Sequence, residues 1–260
     1  MNQILEKFQR HPVPVEAFFD FALAMTFALP KHLLESMLSP GLELDTQGDH
    51  GFLTIAMVQT KGLRPAGLPA ALGQDFFLSG YRIFTRYRSN SYGTLRGLQI
   101  LRSDTDRRRM VLAGNLFTGY NYHLAKVTIQ PMGDVAGTLD ITIRSDDGTA
   151  DVSLAVNLHQ AAEALPQGSP FASLAEARRY AGPMPYTFGY LPATASMVLI
   201  HGTRREWHPQ LVDVQLREAT FFQRPHFAGS APILAASFCV SQVPYRWESG
   251  TVEKLTAPGP

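Results

Sequence analysis

The chain has 260 residues, a formal net charge of +1, 45% hydrophobic and 17% charged residues. That apolar share supports a sizeable core and argues against wholesale disorder, and the near-neutral charge argues against a general polyanion or nucleic-acid binder. The single cysteine, Cys239, excludes an intrachain disulfide and a cysteine-built metal cluster.

From the N-terminus, MNQILEKFQRHPVP carries charges of both signs and has no apolar core of signal-peptide length. No segment approaches the roughly 20 apolar residues needed to cross a bilayer, so a soluble cytoplasmic protein with no membrane partner is expected. PKHLLESML (residues 30–38) reads as a helix, with Pro30 suited to its first turn and Leu33, Leu34, Met37 and Leu38 on one side. GFLTIAMVQT (51–60), YRIFTRYRS (81–89) and GTLRGLQIL (93–101) read as strands. Arg107-Arg108-Arg109, after Asp104 and Asp106, reads as a solvated turn.

GNLFTGYNYHLAKVTI (114–129) ends as a strand. In TLDITIRSDDGTADVSLAVNL, Leu139, Ile141 and Ile143 alternate, Asp146-Asp147-Gly148 supplies a turn, and Val152, Leu154 and Val156 resume: a hairpin. SLAEARRYAG opens with Ser173 and Glu176 at capping-box spacing and stops at Gly182-Pro183. SMVLIHGT (196–203), QLVDVQLREATFF (210–222) and ILAASFCVSQV (233–243) are further strands, and Cys239 within the last is expected to be a small buried hydrophobe. Many strands and few short helices predict one domain over residues 1–260: a mainly β, predominantly antiparallel sheet closed or folded over on itself, with helices outside. Such architectures commonly enclose a pocket.

GLRPAGLP (62–69), the strand YRIFTRY and the segment LFTGYNYHLAKV together resemble the YqjF-like family of uncharacterised bacterial proteins, as does PKHLLESMLSPGLELD. That family is similar to the acetoacetate decarboxylase-like superfamily, and the resemblance covers about residues 20 to 130. It implies a β-cone or barrel-like sheet around a mostly apolar cavity, in a homo-oligomer; a small-molecule ligand and no metal or organic cofactor are expected. In decarboxylases of this type a buried lysine, its pKa lowered, forms a Schiff base with a β-keto acid. It follows a glycine-aromatic-proline triplet. Here the triplet reads Gly119-Tyr120-Asn121 and the next residue is Tyr122. The family's arginine falls in FFDFALAM, which holds Asp20 instead, and its first pocket glutamate falls at Phe77-Leu78-Ser79.

The candidate site follows from these positions. Lys126 is the substitute lysine. On a regular strand it shares a face with Tyr120, Tyr122, Leu124 and Thr128, about 13 Å beyond Tyr122 at ~3.3 Å per residue. The rival role is a lysine snorkelling at a strand end. Tyr122 and His123 are the other acid–base candidates, with His123 on the opposite face unless a bulge near Gly119 turns it. Tyr120, Arg82, Asn121 and Leu78 are the ligand-binding candidates. Arg82 and Arg86 match a carboxylate bidentately, and Arg64 is expected to tie down a loop. His201, Glu206 and His208 lack a recognised metal spacing, and Trp207 with His208 is placed at a pocket cap or an oligomer interface. No GxSxG, P-loop or dinucleotide fingerprint is present. Two functions stay open: an enzyme of lyase, hydratase or cyclase type acting on a small keto acid or related carbonyl compound, and a non-catalytic protein holding a carboxylate-bearing or apolar metabolite in the same cavity.

Overall fold

The structure is a computed structural model that describes residues 3–133, 135–205 and 207–255. Its strands are β1 (Val15–Pro30), β2 (Leu42–Leu44), β3 (Thr46–Gln47), β4 (His50–Pro65), β5 (Gln74–Ser89), β6 (Gly93–Thr105), β7 (Tyr122–Pro131) and β8 (Thr138–Ser145). There follow β9 (Val152–Asn157), β10 (Tyr186–Leu191), β11 (Ser196–Arg204), β12 (Gln210–Leu211), β13 (Val214–Ala219), β14 (Ile233–Trp247) and β15 (Thr251–Lys254). The helices are α1 (Gln3–Phe8), α2 (Lys31–Glu35), α3 (Arg108–Phe117) and α4 (Leu174–Arg178). Among the described residues no helix is long and apolar enough to cross a membrane.

Pairing runs β13-β9-β8-β7-β6-β10-β11-β14-β1-β4-β5-β2, and β5 also pairs β6, so the ladder from β6 round to β5 returns on itself. β1 is the hub. It pairs antiparallel with β14 from Val15↔Trp247 and with β4 from Val15↔Pro65. Both of its faces are covered, which is why FALAMTFAL reads as a continuous apolar run rather than a clean alternation. Phe21, Leu23, Met25, Phe27 and Leu29 fill a core shared with Ile141, Ile143, Val152 and Leu154 of the β8–β9 hairpin. Ala22 and Ala24 face an internal cavity instead.

Most pairings are antiparallel, as patterning predicts. Two are parallel, β6 with β7 and β6 with β10. A parallel neighbour needs a crossover, and α3 supplies the one between β6 and β7. This helix departs from the sequence expectation: Arg107 is its N-cap, and Arg108 and Arg109, though exposed, open the helix rather than forming a turn. QLVDVQLREATFF likewise is not one strand. Gln210–Leu211 pairs β14, Val214–Ala219 pairs β9, and Thr220–Gln223 is a 3-10 turn, because the chain leaves one part of the sheet for another at Val212-Asp213. The hairpin at 138–157 forms with Thr138↔Asn157 and Ile143↔Val152, and Gly148 takes φ 67° in its turn. α2 is shorter than its apolar spacing suggests, with Pro30 at the cap position. Ser173 Oγ accepts from Glu176 N at 3.2 Å and caps α4.

Candidate functional site

The cavity, about 450 Å³, lies inside the strand circuit under α3. Its wall is built mainly from the alternate residues of long strands, with Phe76, Leu78 and Arg82 on one face of β5 and Leu98 and Ile100 on β6. β14 contributes Tyr245 and Trp247, and the segment before β7 contributes Tyr120. Most of the lining is apolar. Among the described residues its ionisable side chains are Arg82, Arg64, His11 and three tyrosines, with no lysine and no carboxylate.

Arg82 is the centre of this arrangement. Among the described residues it makes no ion pair, and its buried Nε has no hydrogen-bond partner. The surface left open on Arg82 faces the cavity. Gly80, two residues back on the same face, makes this possible, since a Cβ there would stand 3.0 Å from Arg82 Nε and 3.1 Å from Nη2. Arg64, by contrast, is fully engaged, donating to Leu68 O at 2.9 Å, Gly62 O at 2.9 Å and Glu16 Oε1 at 2.6 Å. Arg86 does not share the site of Arg82: it donates to buried Asp45 at 2.8 Å, opposite Arg96, which does the same at 2.7 Å.

Three phenols share the cavity wall with Arg82 and are near enough to act on its charge: Tyr120, Tyr122 and Tyr245. Tyr122 is held by a backbone clamp from α3. Asn115 Nδ2 donates to Tyr122 O at 2.8 Å, and Asn115 Oδ1 accepts from Tyr122 N at 2.7 Å. Gly114, next to it, lets the ring pack against the helix, because a Cβ there would be 2.3 Å from Tyr122 Cδ2. Gly202 does the same for Tyr245, whose Oη lies 2.2 Å from where a Cβ would be. Tyr120 Oη is buried without a hydrogen-bond partner, although Thr187 is on the same wall.

Burial sets the charge states. It pushes Tyr122 up to about 12 and raises Tyr120 and Tyr245 as well, the nearby Arg82 opposing each shift only in part. Burial also lowers the pKa of Arg82, which stays cationic at neutral pH because arginine starts so high. A guanidinium offers only donors and protonated phenols offer donors too, so this end of the cavity calls for an acceptor with negative charge. His11, at another part of the lining, is buried with Nδ1 unpartnered, and burial lowers its pKa.

The sequence candidates divide on this geometry. Arg82, Leu78, Tyr120 and Tyr122 line the cavity. Lys126, His123 and Asn121 do not. Lys126 is exposed, because β7 follows β6 only as far as Leu124 and then leaves the cavity wall to pair with β8, Lys126 opposite Arg144. His123 faces the other side, half-buried, its Nε2 3.1 Å from Asn121 Oδ1 and its Nδ1 3.7 Å from Asp146 Oδ1. Asn121 is exposed at φ 52° and donates to Leu101 O at 3.2 Å, so it shapes the turn into β7. Trp207 lines the cavity; His201 and His208 are exposed, and Glu206 lies outside the described residues. Cys239 is buried, and burial pushes its thiol up to about 11.

Sequence reasoning missed Tyr245, Trp247 and His11. The alternation Tyr245-Arg246-Trp247 at the end of a strand was the available signal for the first two. His11 carried none.

A family model described as "Uncharacterized conserved protein (COG2071)", DUF2071, matches residues 19–251. The chain belongs to the DUF2071 family. No curated protein matches it in sequence. This DUF2071 protein is similar in structure to an acetoacetate decarboxylase-like enzyme from Sphingomonas wittichii RW1, at TM-score 0.59 and 12% identity, covering 94% of this chain and 93% of that one. It is similar to the enduracididine biosynthesis enzyme MppR complexed with pyruvate, at TM-score 0.58 and 13% identity, covering 93% and 90%. It also resembles acetoacetate decarboxylase from Legionella pneumophila, at TM-score 0.59 and 13% identity, covering 93% and 88%. The fold is acetoacetate decarboxylase-like; at these identities the likeness is one of fold alone.

Proposed function

We propose that this protein binds a small organic carboxylate of the keto-acid class, without forming a covalent bond to it, in the cavity that Arg82 faces. One observation carries this: a cation inside an apolar cavity, with no ion pair among the described residues and three phenols beside it. A buried charge without a counter-ion is costly, and a ligand carboxylate would compensate it. Tyr120, Tyr122 and Tyr245 would donate to the carboxylate or to an adjacent carbonyl oxygen. That a structural relative is complexed with pyruvate fits the ligand class. Among the described residues no lysine stands on the lining to form a Schiff base, and Lys126 is on an exposed part of β7.

A second function, acid–base catalysis of lyase or hydratase type, is favoured by His11. Its lowered pKa would leave the imidazole neutral near pH 7, as a base must be, with the Tyr122 phenol as the acid. We take residues 1–260 as one cytoplasmic domain, its closed strand circuit a β-cone, acting as a homo-oligomer without metal or organic cofactor.

The test is calorimetric titration with pyruvate, acetoacetate and their amides, on the wild type and on Arg82→Met, with borohydride added in a parallel incubation. Saturable binding of the acids, lost with the amides and in Arg82→Met, and no mass added to any lysine, is the expected result. Binding indifferent to Arg82, or a borohydride-trapped lysine adduct, would defeat it.

A further inference from the structure

We infer that the ligand is a monocarboxylate with an extended apolar body, of the size of a medium-chain acyl group, and that it enters carboxylate first. This rests on Arg82 holding the carboxylate and adds the rest of the ligand.

The first ground is size. Water takes about 30 Å³ of liquid per molecule, so 450 Å³ is room for about fifteen non-hydrogen atoms. Pyruvate has six. A three-carbon acid at Arg82 would leave most of the cavity unfilled.

The second ground is the chemistry of that remainder. Moving from Arg82 along the inward face of β5, the chain presents Gly80, Leu78, Phe76 and Gln74, and the flanking strands supply Val58 beside Leu78 and Ile100 beside Arg82. No carboxylate or lysine interrupts this surface among the described residues. An apolar cavity of this size gains nothing from a polar ligand body and rewards a hydrocarbon one.

The third ground is direction. The lining residues that are also solvent-exposed mark the mouth: Pro12, Val13, Pro65, Gln74 and Phe117. They are brought together by two backbone hydrogen bonds, Ala66 N to Pro14 O at 2.8 Å and His11 N to Phe117 O at 3.1 Å. Gln74 is thus at the open end and Arg82 eight residues further along the same strand, roughly 26 Å at ~3.3 Å per residue. The guanidinium lies back over Gly80, towards the mouth, and shortens this reach. A ligand that met Arg82 with its carboxylate would therefore run its body along Leu78 and Phe76 towards Val13 and Phe117, which are apolar as well.

The experiment is calorimetric titration of the full chain with butyrate, hexanoate, octanoate and decanoate, with decanamide and pyruvate as comparisons. Each buried methylene is expected to tighten binding about fourfold, until the chain reaches the mouth and the gain stops. Decanamide should bind at least tenfold more weakly than decanoate. Val58→Phe, beside Leu78 and so between Arg82 and the mouth, checked for an unchanged melting transition, narrows the cavity midway and should end the gain at a shorter chain. Affinity that is flat from butyrate to decanoate, while pyruvate still binds in an Arg82-dependent way, would overturn the acyl-like body and leave the carboxylate site intact. Equal binding of decanoate and decanamide, with pyruvate not bound, would overturn the carboxylate site itself and this inference with it.

Discussion

Replacing Arg82 with methionine should make the protein more stable while removing its ligand. Arg82 Nε is a buried donor without an acceptor, and such a group costs about 1–3 kcal/mol. Its charge adds to that cost, since no carboxylate lines the cavity among the described residues. Methionine keeps an unbranched stem over Gly80 and gives up only contacts of the planar head, which faces the cavity rather than a packed neighbour. The balance is a gain of about 1–2 kcal/mol, and for a chain of this size each kcal/mol moves Tm by roughly 2–4 °C. Thermal and urea melts of wild type and Arg82→Met measure it directly. The same variant should lose carboxylate affinity by about tenfold to a hundredfold, which is what charge-assisted hydrogen bonds of about 1.5–3 kcal/mol convert to. A melting temperature several degrees lower, with carboxylate affinity retained, would refute the reasoning: Arg82 would then be serving the fold rather than a ligand.

Other expected outcomes concern the groups around it. Gly114→Ala should be destabilising despite a gain in helix propensity of about 1 kcal/mol, because its Cβ would sit 2.3 Å from the Tyr122 ring; overpacking of this kind costs roughly 1–3 kcal/mol, and ligand affinity should fall with it. Tyr122 titrates at about 12 in the folded state, above its ordinary value, so its contribution to stability is complete below pH 10 and is lost as pH rises towards 12; denaturant midpoints should fall across that window in wild type and less in Tyr122→Phe. His11 shifts the opposite way, so its contribution is complete above about pH 6.5 and lost as pH falls below it, and His11→Gln should flatten the acid limb of the stability profile between pH 5 and 7. Asp45 is fully buried and holds both Arg86 and Arg96, which stand opposite each other on β5 and β6. Asp45→Ala should cost about 1.5–3 kcal/mol, the worth of hydrogen bonds to a charged group, because Arg86 and Arg96 are partly exposed and water can take over their donors, seen as a drop in urea midpoint.

The mainly β character of the chain, most strand positions and the 138–157 hairpin are legible in the residues alone. Period-2 alternation and turn residues are local signals that tertiary packing reinforces here. The sequence also singled out Arg82, Leu78, Tyr120 and Tyr122, which do line the cavity. It could not separate them from Lys126, because a shared face on an extended strand says nothing about where the strand leaves its neighbour; β7 parts from β6 after Leu124, and two residues later, at Lys126, the same face meets solvent. What sets Arg82 apart from Arg86, four residues along the same strand, is long-range pairing, which brings Asp45 to Arg86 and, among the described residues, no acid to Arg82. α3 was hidden because the basic run Arg107–Arg109 reads as a turn; in the structure that run opens the helix, and Gly114 within it leaves the room Tyr122 occupies. The partners of the site from the far ends of the chain, His11 and Tyr245, were decided by tertiary structure alone: the closure of β6 through β14 and β1 to β5 is what carries residues more than 200 positions apart to one cavity.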